Sequence, residues 1–317
     1  MGLELSVKIG KLKLKNPVLA ASGTFGHAKE FEKFMDLKKL GGIVTKTITV
    51  KPRLGNPPPR IVETPSGMLN AIGLQNPGAD KFLEEKMPYL RKIGIPIIVS
   101  VMGYSLEEFS QVIQKIDAAP GVDGFELNLS CPNVSYSQSA KKKADAAPEG
   151  VRMFAHDAQM IEDVVSTARK LTSKTLIAKL GPDVSDVPKM ALAAERGGAD
   201  AVSLINTFIA MAIDVKTRKP VLANKTGGLS GPCIKPIALR MVWETAKKIQ
   251  VPVIGIGGIM NSKDALEFMI AGATAVQIGT ANFMNPRACQ DVLEGIKEFM
   301  KREKIISLKE IIRSVKE

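Results

Sequence analysis

A (β/α)8 barrel preceded by an N-terminal β-hairpin is the fold that this sequence predicts. Three observations carry it. Short apolar runs recur eight times within 317 residues, each passes into a loop rich in Gly, Asn, Ser or Thr, and helix-period segments separate them. A doubly wound open sheet is the competing α/β architecture, but it does not need eight similar units. The expectation is one domain spanning residues 1–317.

The first element is the hairpin. Residues 3–15 alternate apolar and charged side chains around Gly10, a pattern that sets them outside the main sheet. The barrel strands are expected at 17–21, 42–46, 96–101, 124–130, 175–179, 201–206, 251–255 and 275–279. Helices are expected at 105–118, 155–171, 186–197, 234–249 and 262–271. The connection from Lys51 to Pro77 is long and stiffened by prolines, and Asn70-Ala71-Ile72-Gly73-Leu74-Gln75-Asn76 near its end suits polar recognition of a substrate beneath it. The run Gly227-Gly228-Leu229-Ser230-Gly231-Pro232 reads as a second loop facing a cofactor, or else as a turn before the next helix.

Composition narrows the function classes. Apolar residues make up 45% and charged residues 24%, ordinary values for a water-soluble globular protein. No apolar run reaches bilayer length and the first residues lack a signal-peptide core, so a cytoplasmic protein without membrane contact is expected. Cys131, Cys233 and Cys289 are far apart, which indicates neither a disulfide framework nor a zinc site, and His27 and His156 are the only histidines. No metal is expected. The net charge of +12 would suit nucleic acid, an acidic partner or a phosphate-bearing cofactor. The lysines are scattered, however, and aromatics amount to 5%, so a solvated basic surface is favoured over a nucleic-acid site. The Lys141-Lys142-Lys143 run reads the same way.

In such a barrel the chemistry collects at the C-terminal strand ends. Strand four runs directly into Asn128-Leu129-Ser130-Cys131-Pro132-Asn133. Phe125, Leu127 and Leu129 alternate with Glu126, Asn128 and Ser130, so an amide and a hydroxyl share one face. Pro132 keeps Cys131 extended. A lone cysteine is usually a small buried hydrophobe, but two flanking asparagines favour a reactive thiol here. Glycine turns end strands seven and eight, the place where barrels bind phosphate. Lys46 and Lys179 end strands two and five, and a buried ammonium there needs an anion or an electron-rich partner. A Schiff-base aldolase would use such a lysine. A flavin explains the lysines, the cysteine loop and the glycine turns together.

These motifs, with Ala21-Ser22-Gly23-Thr24-Phe25-Gly26, Ile205-Asn206-Thr207 and Gly279-Thr280-Ala281-Asn282-Phe283, resemble the dihydroorotate dehydrogenases over almost the whole chain. The resemblance implies an FMN-dependent barrel that oxidises dihydroorotate to orotate in pyrimidine synthesis. A cysteine base marks the soluble class, and the Asn-Ala-Ile-Gly-Leu-Gln-Asn segment looks like the NAD-linked branch rather than the fumarate-using one. By family match Cys131 would be the base, and Lys46, Asn70, Gly73, Leu74, Asn128, Asn206 and Thr207 would hold substrate. FMN would be held by Ser22, Lys46, Thr47, Ser100, Asn128, Lys179, Ile205, Gly231, Gly257, Gly258, Gly279 and Thr280. The resemblance further implies a homodimer core in a heterotetramer whose second subunit carries FAD and a [2Fe–2S] cluster. Ser100 stands where the family usually has Asn, and the segment after Asn133 is longer than the family pattern. An FMN-dependent tRNA-dihydrouridine synthase and a non-catalytic binding barrel are the rival readings. The first normally adds a helical RNA-binding region, and the second does not explain so many furnished strand ends.

Overall fold

The computed structural model describes residues 2–130 and 154–316. Cys131, Pro132, Asn133 and the Lys141-Lys142-Lys143 run therefore lie outside the described residues.

Strands β1 (Val7–Ile9) and β2 (Leu12–Leu14) form the predicted antiparallel hairpin, with Val7 opposite Leu14. Gly10 at its turn has a φ of +54°, and a Cβ there would stand 2.6 Å from Asp200 Cβ, so the turn requires glycine. Lys11 N donates to Thr175 Oγ1 at 3.0 Å, and Leu12 packs against the position of Gly124. Thr175 and Gly124 begin barrel strands, so the hairpin plugs the N-terminal end and leaves the opposite rim open for chemistry.

The barrel follows in chain order. Its strands are β3 (Val18–Ala20) and β4 (Gly42–Val44), then, after a hairpin of β5 (Ile61–Thr64) and β6 (Gly67–Asn70), β7 (Ile97–Val101), β8 (Gly124–Asn128), β9 (Thr175–Leu180) and β10 (Ala201–Leu204). Strands β11 (Phe208–Met211), β12 (Ile213–Asp214), β13 (Lys219–Pro220) and β14 (Thr226–Ser230) intervene before β15 (Val253–Ile256) and β16 (Ala273–Ile278) close the barrel. Neighbouring barrel strands are parallel throughout. Their sequences, such as Ile-Ile-Val-Ser-Val in β7, are buried on both faces, as a parallel sheet covered by helices demands. Several outer helices are capped by short polar residues: Ser105 accepts from Glu108 N, and Asn261 from Asp264 N. The hairpin, the barrel and the inner faces of the helices share one apolar core.

Two expectations about connections need correction. The stretch after Lys51 contains the β5–β6 hairpin. The glycine-bearing run read as a loop is strand β14. Together they form a four-stranded antiparallel sheet in the order β11-β14-β6-β5 over the barrel rim. The two glycines hid the strand, because glycine weakens strand propensity unless a close approach demands it. Here it does: a Cβ on Gly227 would lie 2.8 Å from Asn70 O on the neighbouring strand. The sheet covers a small core of its own around Leu69, Ala71 and Leu222.

Candidate active site

Most of the expected site residues stand at the C-terminal rim, and several form one hydrogen-bonded chain across it. Ser22, after β3, lies 3.4 Å from Thr47 Oγ1. Thr47, after β4, is 2.9 Å from Ser100 Oγ on β7 and accepts from Asn128 Nδ2 on β8 at 3.2 Å. Asn206, after β10, donates through Nδ2 to Asn128 Oδ1 at 3.2 Å and to the Ser130 carbonyl at 3.0 Å. Its own Oδ1 accepts from Thr207 N at 2.9 Å. These bonds fix the two amides in rotation and anchor the residue immediately before Cys131. Ser100 is 0% exposed, and its hydroxyl meets the rim through Thr47.

Lys46 sits beside this chain, half-buried. Burial and the nearby Arg60 pull its ammonium below the usual lysine range, while Glu30 acts in the opposite sense. His27 lies on the same side of the rim. Burial pushes its imidazole down to about 4, so it is neutral at ordinary pH, and its buried Nδ1 has no hydrogen-bond partner. Asn70 closes β6 with Nδ2 directed to Gly228 O at 3.4 Å, which places it in the covering sheet rather than in the Asn128–Asn206 chain. Gly73 and Leu74 follow in a turn with φ values of +73° and +56°, and a Cβ on Gly73 would press on Asn56 at 2.6 Å.

The glycine residues gather on the other side. A Cβ on Gly258 would meet Gly231 O at 2.8 Å and Lys235 N at 2.9 Å, so the turn after β15 and the break after β14 touch backbone to backbone. Gly257 lies against the Ile205 side chain in the same cluster. Thr280, after β16, donates to Ser230 Oγ at 2.8 Å, and Gly279 opens toward Thr24. The Lys235 ammonium is engaged by Asp264 at 2.6 Å and Glu267 at 2.9 Å. An anion in this cradle would therefore rely on backbone N–H groups.

Lys179, at the end of β9, pairs in register with Asn128 and points its ammonium at Glu126, 3.6 Å away in the barrel interior. The donor set fits a flavin mononucleotide. The backbone cradle suits a phosphate, Lys179 and Asn128 offer donors to a heterocycle, and Thr24 Oγ1 is buried without a partner. Sequence reasoning did not single out Glu126, Ser203 or Gln277 as functional, although Glu126 shares a strand face with Asn128.

The chain matches the family described as dihydroorotate dehydrogenase over residues 4–300. A relative from Geotalea uraniireducens (strain Rf4), named dihydroorotate dehydrogenase B (NAD(+)), catalytic subunit, is 53% identical over 309 residues, covering 98% of this chain and 97% of the relative. One of the same name from Thermoanaerobacter sp. (strain X514) is 52% identical over 314 residues, covering 99% of each chain.

Proposed function

The chain belongs to the dihydroorotate dehydrogenase family, and on that premise we propose that its rim holds FMN and dihydroorotate side by side, with Cys131 as the base. It is an NAD-linked oxidoreductase that converts dihydroorotate to orotate in pyrimidine biosynthesis. The observation that carries the site reading is the Asn128–Asn206 pair, held in one orientation and bonded to the Ser130 carbonyl beside Cys131.

Bound FMN supplies a two-electron acceptor for the hydride. The chain's own groups do the rest. Lys46, Asn70, Asn128, Asn206 and Thr207 can donate to the carboxylate and carbonyl oxygens of the substrate, while Gly73 and Leu74 wall it from above. Cys131 takes the proton from the carbon next to the hydride donor, the general-base role that a thiolate can fill. Ser22, Thr47, Lys179, Ile205, Gly231, Gly257, Gly258, Gly279 and Thr280 hold the cofactor, with Ser100 acting through Thr47. We assign the electron-transfer partner to a second subunit bearing FAD and a [2Fe–2S] cluster, docked on a homodimer of this chain. No helix among the described residues is long and apolar enough to cross a membrane. A cytosolic location belongs to the same proposal, since the three scattered cysteines suggest no disulfide framework.

The purified protein should be yellow and release one FMN per chain on acid treatment. Release of FAD, or a colourless protein that FMN cannot reconstitute, would contradict the cofactor assignment.

A further inference from the structure

Inward layers of such barrels are normally filled by Val, Ile and Leu. Here the layer just beneath the rim is polar. Glu126 on β8 is 0% exposed, and its Oε2 accepts from Gln277 Nε2 on β16 at 2.7 Å and from Ser203 Oγ on β10 at 3.1 Å. Its Oε1 has no hydrogen-bond donor and faces Lys179 Nζ at 3.6 Å. Lys179 is itself only 7% exposed, and among the described residues it has no other acidic partner within 4.0 Å. A polar layer of this kind stabilises less than an apolar one of equal volume, so its presence calls for a role beyond filling space.

We propose that Glu126 is the positioning residue for Lys179, holding its ammonium fixed at the rim against the cofactor. The inference rests on the reading of the rim as an FMN site. Two strands clamp the carboxylate from the far side, so it cannot follow the lysine outward. A buried ammonium without a counter-charge is costly, and a long flexible side chain then turns toward solvent. That movement takes a fixed positive charge away from the flavin, where a cation favours the electron-rich reduced form. Glu126 does this without touching the ligand, being wholly covered.

The test is a pair of exchanges read on the holoprotein by spectroelectrochemical titration and by FMN dissociation. Glu126→Gln keeps the shape but cannot hold an ammonium. It should lower the flavin reduction potential and weaken FMN binding about tenfold, a coupling of the size usual for contacting residues. In the Lys179→Met background the same exchange removes only a negative charge, so the potential should rise or stay unchanged. A shift of the same sign and size in both backgrounds, or a rise with Lys179 present, overturns the proposal. Where Glu126→Gln does not fold, Ser203→Ala loosens the carboxylate and should lower the potential less strongly. An unchanged potential in Ser203→Ala would then count against the inference. Wild-type protein that binds no FMN at all would instead refute the underlying site reading.

Discussion

Exchange of Cys131 for alanine is expected to slow reduction of the bound flavin by dihydroorotate about 10²–10⁴-fold, the usual contribution of a positioned general base. Flavin and orotate binding should change little, because Asn128 and Asn206 keep their bonds to Thr47 and to each other without the thiol. Exchange for serine should leave a residual rate that climbs with pH, since an alcohol is a far weaker base than a thiol. The expectation has a structural footing one residue upstream. The Ser130 carbonyl accepts from Asn206 Nδ2 at 3.0 Å, and Asn206 is in turn bonded to Asn128. Cys131 thus follows in sequence a residue whose carbonyl is anchored to Asn206, and through it to Asn128. Stopped-flow reduction of the Cys131→Ala protein at the wild-type rate would remove Cys131 from the mechanism.

The second large effect concerns the electron acceptor. With an artificial dye the isolated chain should turn over dihydroorotate, while with NAD⁺ alone it should be nearly inactive. Gly255-Ile256-Gly257-Gly258 does not continue as Gly-x-Gly-x-x-Gly with a downstream acidic ribose ligand. Three scattered cysteines cannot supply the four thiolates of an iron–sulfur centre. The names of the relatives, which call each a catalytic subunit, support a partner that completes the path. Co-expression with such a partner should restore NAD⁺ reduction. An isolated chain that reduces NAD⁺ as fast as the dye, or that turns over best with fumarate, would contradict the two-subunit account.

All eight barrel strands were legible in the sequence, since each is a short, largely apolar run that ends in a polar or glycine-rich turn. The match was closest where the run was least interrupted, as at Ile97–Val101 and Thr175–Leu180. The covering sheet was not legible, because β6 and β14 pair across more than 150 positions and β14 carries two glycines. Helix Met87–Ile93, with its proline in the first turn, was also missed. In the site, the strand-end amides, lysines and glycines could be picked out because chemistry there interrupts an apolar pattern. Periodicity turns Glu126 inward, but it cannot say that Gln277 and Ser203 on other strands will clamp it. That arrangement exists only once the barrel closes. The same holds for Ser100, whose position on β7 suggests the site although its hydroxyl is spent on Thr47.

Anaerobic titration of the purified, flavin-loaded protein with dihydroorotate tests the central claim most directly. The account predicts that the flavin absorbance bleaches with one equivalent per chain and that an equal amount of orotate appears. A flavin that a chemical reductant bleaches but dihydroorotate leaves fully oxidised would contradict it.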